Sequence, residues 1–123
     1  MMSEKSQLYR FDQAAKVLVI GRDPVVLALV ADEVRAAGID IRGMTAAEAG
    51  GALTGSFDLI AIGGGIDHQQ RRSLELEARF HNPNVRLLTV HAPFAAAQII
   101  AAARNEDVPQ VDLGAYFRRI GYH

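Results

Sequence analysis

The chain has 123 residues, half of them hydrophobic, which favours one domain over residues 1–123 with a single core and argues against two domains. The 13 basic and 14 acidic side chains give a net charge of -1 and form no run, so charge offers no basis for binding nucleic acid or an anionic membrane. The absence of cysteine excludes disulfides and thiolate chemistry.

The N-terminal residues are not expected to act as a signal peptide. Residues 1–7 are expected to form a mobile tail, and residues 1–16 lack the apolar core of a signal peptide. The longest apolar stretches of the chain are shorter than the roughly 20 residues that a membrane helix requires. We therefore expect a cytoplasmic protein without a membrane partner.

The first strand and helix are predicted from residues 17–20 and the motif after them. The run VLVI does not alternate with polar residues, which is typical of a strand covered on both faces. Asp23 is suited to cap a helix that has Pro24 in its first position. Gly38 is suited to the left-handed conformation that follows a helix, so we expect the helix to end there.

The sequence signals for the second strand and helix are weaker. Residues 39–41 predict a short strand. Thr45 and Glu48 match the reciprocal Ser/Thr-x-x-Glu capping pattern and predict the start of a helix. This helix is expected to be short and to end near Gly50 or Gly55.

The third unit combines a clear strand with a glycine-rich turn. Residues 59–62 predict the strand, and three glycines, Gly63–Gly65, follow it directly. Asp67 is a capping residue with Gln70 three positions later, and it predicts a helix that ends at the stop signal HNP, residues 81–83.

The fourth unit has the most apolar helix. Residues 85–90 predict a strand, and a helix should run from about Pro93 to near Asn105. Residues 94–103 are apolar apart from Gln98, so this helix should be more buried than a surface helix.

Four alternations of strand and helix predict a parallel sheet with helices on both faces, an α/β three-layer sandwich of the flavodoxin-like kind. The expected strand order is 2-1-3-4. Residues 106–123 form a C-terminal extension in which residues 108–111 would make a poor edge strand, a degenerate fifth, and residues 113–120 a short helix.

Residues 15–105 resemble the receiver domains of bacterial response regulators, in strand order, in helix placement and in the phrases KVLVIGRDP and FDLIAIGGG. Receivers carry an acidic pair after the first strand, where this chain has Gly21 and Arg22. Their phosphoryl-accepting aspartate falls here on Gly63. Their hydroxyl residue at the end of the fourth strand falls on or near His91, and their later lysine has no counterpart.

These departures make the chain similar to a pseudo-receiver. Without a carboxylate at Gly63 there is no phosphoryl acceptor, and without acidic ligands Mg²⁺ has no oxygen cage. Arg22 adds positive charge where the metal would lie. The resemblance therefore implies a non-catalytic, phosphorylation-independent regulatory or protein-interaction domain that carries no cofactor.

An alternative function is a small-molecule, nucleotide or anion sensor. Ligands of open α/β sheets collect beyond the carboxyl ends of the strands, and the loop Gly63–Gly65 would present N–H groups to an anion, with Arg22, Arg71 and Arg72 nearby. No dinucleotide or P-loop motif accompanies the loop. The candidate binding residues are Arg22, Asp23, Gly63, Gly64, Gly65, Asp67, His68 and His91.

Metal binding and catalysis are not predicted. Asp23, Asp67, His68 and His91 have side chains suited to a transition metal, but the two aspartates already fit as helix caps and no His pair has i, i+4 spacing. A hydrolase would need His68 or His91 as its base, and no serine lies in a G-x-S-x-G turn.

The fourth helix is the predicted contact surface. If the fourth strand lacks a full fifth unit beside it, the strand and this helix leave apolar surface unburied, and a homodimer would cover it. The alternative is that the C-terminal segment covers the same surface within one chain. The predicted interface residues are Phe94, Ile99, Ile100, Tyr116 and Phe117.

Overall fold

The computed structural model describes residues 15–50 and 53–109. Its elements are β1 (Lys16–Gly21), α1 (Pro24–Ala36), β2 (Asp40–Thr45), α2 (Ala46–Ala49), β3 (Leu59–Gly63), α3 (His68–His81), β4 (Arg86–Val90) and α4 (Ala95–Ala103). The strands are parallel and lie in the order β2-β1-β3-β4, which confirms the predicted topology.

The sheet separates two apolar clusters. Val17 and Val19 of β1 face a cluster formed with α1 and α4, whereas Leu18 and Ile20 face a cluster formed with α2 and α3. β3 alternates in the same way, and both strands are almost completely buried. Burial on both faces explains why these strands have no polar alternation in the sequence.

Local signals set the boundaries of α1 and the start of α3 as predicted. The Val25 N–H donates to Asp23 Oδ1 at 2.8 Å, so Asp23 caps α1. Gly38 follows α1 with a φ of 87°, a conformation that costs glycine little. The N–H groups of Gln69 and Gln70 donate to Asp67 Oδ2 at 3.1 and 3.2 Å, and this carboxylate caps α3.

The second unit differs from its prediction in the length of the strand. β2 continues to Thr45, four residues beyond the predicted end, because every residue of β1 from Lys16 to Gly21 pairs with it. Its last residues lack an apolar pattern because they lie at the edge of the sheet. α2 is a single turn, and Glu48 Oε1 accepts the Thr45 N–H at 2.9 Å. Hydrogen bonds from the Thr45 backbone and hydroxyl hold the pKa of Glu48 below its usual value.

The fourth helix is shorter than predicted, and it is largely buried, as predicted. α4 begins at Ala95 rather than at Pro93. Ile99 is fully buried inside the chain's own core, Ile100 packs against the same core, and Phe94 is half-buried at the N-terminus of the helix. Ile99 therefore has no exposed surface through which to contact a partner. Its inclusion among the predicted interface residues is not supported by this burial.

The C-terminal extension is described only as far as residue 109. Residues 106–109 form neither helix nor strand, and Val108 packs against the cluster on the α1 and α4 side. The remainder of the predicted edge strand, the predicted helix with Tyr116 and Phe117, and the N-terminal tail lie outside the described residues. Within the described part of the chain, every helix is too short or too polar to cross a membrane.

Candidate functional site

A cleft of about 180 Å³ lies at the carboxyl ends of β1 and β3. The turn after β1, the glycine loop Gly63–Gly65 and the first turns of α1 form its walls. Its lining is mainly apolar, with Val26, Val30 and Val90 among the contributing side chains. The position is the one where open α/β sheets bind ligands, but the lining differs from the acidic pocket of a receiver.

Arg22 and Asp23 bring the only charges of the cleft among the described residues that line it. Arg22 Nη1 donates to the Gly65 carbonyl oxygen at 3.3 Å and so links the two loops at the solvent-exposed mouth. Asp23 accepts the Val25 N–H as the cap of α1. The one carboxylate of the cleft is thus already used to hold a helix.

Gly63 has no steric need to be glycine. A Cβ built on it would lie 3.4 Å from the Ile20 carbonyl oxygen and 3.7 Å from Gly21 Cα, which is ordinary contact. Its φ is not in the left-handed region. A Cβ would therefore fit at this strand end, so the backbone does not require glycine at position 63.

Gly64 is constrained by His91. A Cβ on Gly64 would lie within 2.6 Å of His91 Cε1, whereas a Cβ on Gly65 would make only ordinary contact with Arg22 at 3.8 Å. The Gly64 N–H donates to the Val90 carbonyl oxygen at 2.7 Å. Glycine at this position lets the loop pack against the end of β4 and the imidazole.

The start of α3 offers little to an anion. The N–H groups of Gln69 and Gln70 already donate to the Asp67 carboxylate, and the Ile66 N–H donates to the Gly63 carbonyl oxygen at 3.1 Å. An anion at this helix terminus would compete with a carboxylate and be repelled by it. The geometry therefore gives no support to an anion site made by the α3 N-terminus.

Arg71 supports the end of the sheet. Its Nη2 donates to the Gly63 carbonyl oxygen at 2.7 Å and its Nη1 to Thr89 Oγ1 at 3.0 Å. The guanidinium thus joins the ends of β3 and β4 instead of standing free as a ligand group.

The two candidate histidines lie in different settings. His68 is the exposed first residue of α3. His91 follows β4, and its backbone N–H donates to Gln98 Oε1 at 2.9 Å. Over residues 15–50 and 53–109, no three His, Asp or Glu side chains are close enough to hold a metal ion, so Asp23, Asp67, His68 and His91 do not converge.

Comparisons with known proteins bear on the fold. No protein-family model and no curated protein matches the chain. Among solved structures, a de novo designed Rossmann fold protein has a TM-score of 0.56 at 20% identity, covering 75% of this chain and 98% of its own. A protein from Burkholderia pseudomallei K96243 described as pilus assembly-related has a TM-score of 0.52 at 20% identity, covering 89% of each chain. The chain therefore has a Rossmann-like, flavodoxin-like α/β fold.

Proposed function

We propose that this protein is a non-catalytic, receiver-like regulatory domain that acts through protein contacts and without phosphorylation. The observation that carries the proposal is the chemistry of the strand-end cleft. Gly63 occupies the acceptor position, and Asp23, the sole carboxylate among the described lining residues, caps α1. Mg²⁺ needs several hard oxygen ligands, and phosphoryl transfer needs a nucleophile; the described residues that line the cleft offer neither a set of acidic ligands nor an acceptor carboxylate at position 63.

We expect the purified protein to gain no phosphoryl group when it is incubated with acetyl phosphate and Mg²⁺. Intact-protein mass spectrometry measures the modification, and an active receiver domain in the same solution is the positive control. Beryllofluoride with Mg²⁺ should likewise leave the thermal unfolding midpoint unchanged. A phosphorylated side chain in this protein would contradict the proposal.

A second candidate function, a small-molecule sensor, is favoured by the apolar cleft itself. Apolar walls with an arginine at the mouth suit a small ligand that has an apolar body and one acidic group. Its recognition would rest on Arg22 rather than on the α3 N-terminus.

Thermal-shift measurements with a panel of small carboxylates and nucleotides test the sensor function. A ligand at about 100 times its Kd should add about 2.7 kcal/mol to the free energy of unfolding. Arg22→Ala should abolish that gain, and Arg42→Ala, which removes an exposed arginine on β2, should preserve it. A gain that survives Arg22→Ala would contradict recognition at this cleft.

A further inference from the structure

Two apolar stripes are exposed on the helices. On α1, Val25 and Leu29 are 68% and 60% exposed, and on α3, Leu76 and Phe80 are 66% and 81% exposed. Each pair has i, i+4 spacing, so its two side chains are neighbours on the helix surface. Together with Val26, which is 39% exposed, they are the large hydrophobic residues that stand out to solvent in the described part of the chain.

The charges beside the two pairs are opposite. Asp32 continues the row of Val25 and Leu29, one turn further along the outer face of α1, and we call these three residues the α1 stripe. Arg72 and Arg79 flank Leu76 and Phe80 on the outer face of α3, and we call these four residues the α3 stripe. Glu75 and Glu77 lie on the same helix, so the opposite charges that matter here are Asp32 and the two arginines. All of these charged side chains are exposed.

The charged groups are free to change partners. Asp32 pairs with Arg35 at 3.2 Å, but both side chains are more than half exposed, and such a pair contributes little to stability. Neither Arg72 nor Arg79 forms a salt bridge with any residue in the described ranges. The positive charge of the α3 stripe is therefore not neutralised within the chain by an ion pair with those residues.

The two stripes cannot cover one another within one molecule. α1 packs with α4 on one face of the sheet, and α3 packs with α2 on the opposite face. Their outer surfaces consequently point away from each other. Among residues 15–50 and 53–109, no other element covers either stripe, so a second molecule could bury these apolar side chains.

We infer that the α1 stripe of one copy of this chain binds the α3 stripe of a second copy. Val25 and Leu29 would pack against Leu76 and Phe80, and Asp32 would face Arg72 and Arg79. Burial of the four apolar side chains supplies the attraction, while the opposite charges set the register and the choice of partner. The inference rests on the proposed interaction function and names its surface and its partner.

Such a contact is heterologous, because it joins two different surfaces. Copies joined in this way add head to tail, as an open chain or a closed ring, instead of pairing as a two-fold dimer. This arrangement differs from the homodimer through α4 that the sequence predicts, because it uses the exposed outer faces of α1 and α3.

Complementation between two variants tests the inference. Leu29→Lys places a positive charge opposite Arg72 and Arg79, and Phe80→Ser removes the largest side chain of the α3 stripe. Light scattering coupled to size exclusion should show a mass for the unaltered protein that rises with concentration. Each variant alone should remain a monomer over the same range.

An equimolar mixture of the two variants is the decisive sample. The Phe80→Ser copy keeps its α1 stripe and the Leu29→Lys copy keeps its α3 stripe, so the mixture should form a species of twice the mass of one chain and grow no further. Ala47→Lys, a charge added on the exposed side of α2, is the matched control and should assemble like the unaltered protein. Circular dichroism checks that each variant is folded.

The other outcomes each overturn the inference. A protein that stays monomeric at high concentration has no such contact. If only one of the two variants blocks assembly, the contact joins like surfaces, and if the mixture stays monomeric the two stripes do not recognise each other. None of these results bears on the acetyl phosphate experiment, so the absence of phosphorylation is tested separately.

Discussion

Replacing Leu53 by alanine should lower the free energy of unfolding by about 2–5 kcal/mol. Leu53 lies in the connection between α2 and β3, yet its side chain is fully buried. It belongs to the cluster that α2 and α3 form against the sheet, together with Ile60 and Ile62. Truncation removes apolar contacts and leaves a cavity that a closely packed core closes only in part.

Chemical denaturation followed by circular dichroism measures this loss. The matched control is Leu76→Ala, because Leu76 is 66% exposed on α3 and the same truncation there should cost less than about 0.5 kcal/mol. The protein concentration is kept low, so that self-association does not contribute to the measured stability. Equal losses for the two variants would show that Leu53 is not part of the core.

Gln98→Leu should lower the free energy of unfolding by about 1–3 kcal/mol, although leucine is the more hydrophobic residue. Gln98 is only 5% exposed, and its Oε1 accepts the backbone N–H of His91. Leucine removes that acceptor and leaves the amide at the end of β4 without its partner. The free energy lost by leaving this buried amide without a hydrogen bond exceeds the free energy gained by burying the leucine side chain.

Hydrogen exchange at the His91 amide gives a local measure of the same change. Its protection should fall in Gln98→Leu, together with the global stability. Gln70→Leu is the control, since Gln70 is exposed at the start of α3 and the same substitution should change stability by less than about 0.5 kcal/mol. An unchanged His91 amide would mean that another group supports the turn between β4 and α4.

The ends of helices and strands were predicted most accurately where a nearby residue determines them. The side chain of Asp23 and the φ of Gly38 act within one turn of α1, so the residues themselves indicate where that helix begins and ends. The buried strands β1 and β3 were recognisable because apolar residues on both faces leave no alternation. The length of β2 was underestimated because its later residues are held by pairing with β1. This pairing leaves no pattern in the local sequence.

The place of the cleft could be predicted from the sequence, but its detailed contacts could not. The strand order places Gly21, Arg22 and Gly63 around one crevice, and that order follows from the alternation of strands and helices. The bond from Arg22 to Gly65 and the packing of His91 against Gly64 join residues that are far apart in the chain. Such contacts depend on the conformations of the loops. The hydrophobic periodicity of the sequence carries no information about loop conformation.

By itself the sequence determined the class of fold, the strand order and the absence of a carboxylate at the strand end, because these follow from residue identity and hydrophobic period. Only the tertiary structure decided which apolar surface remains exposed. Ile99 and Leu29 both belong to strongly apolar helices, but the first is covered by the sheet and the second faces solvent. The exposure of a side chain depends on which elements pack against it, and those elements come from distant parts of the sequence.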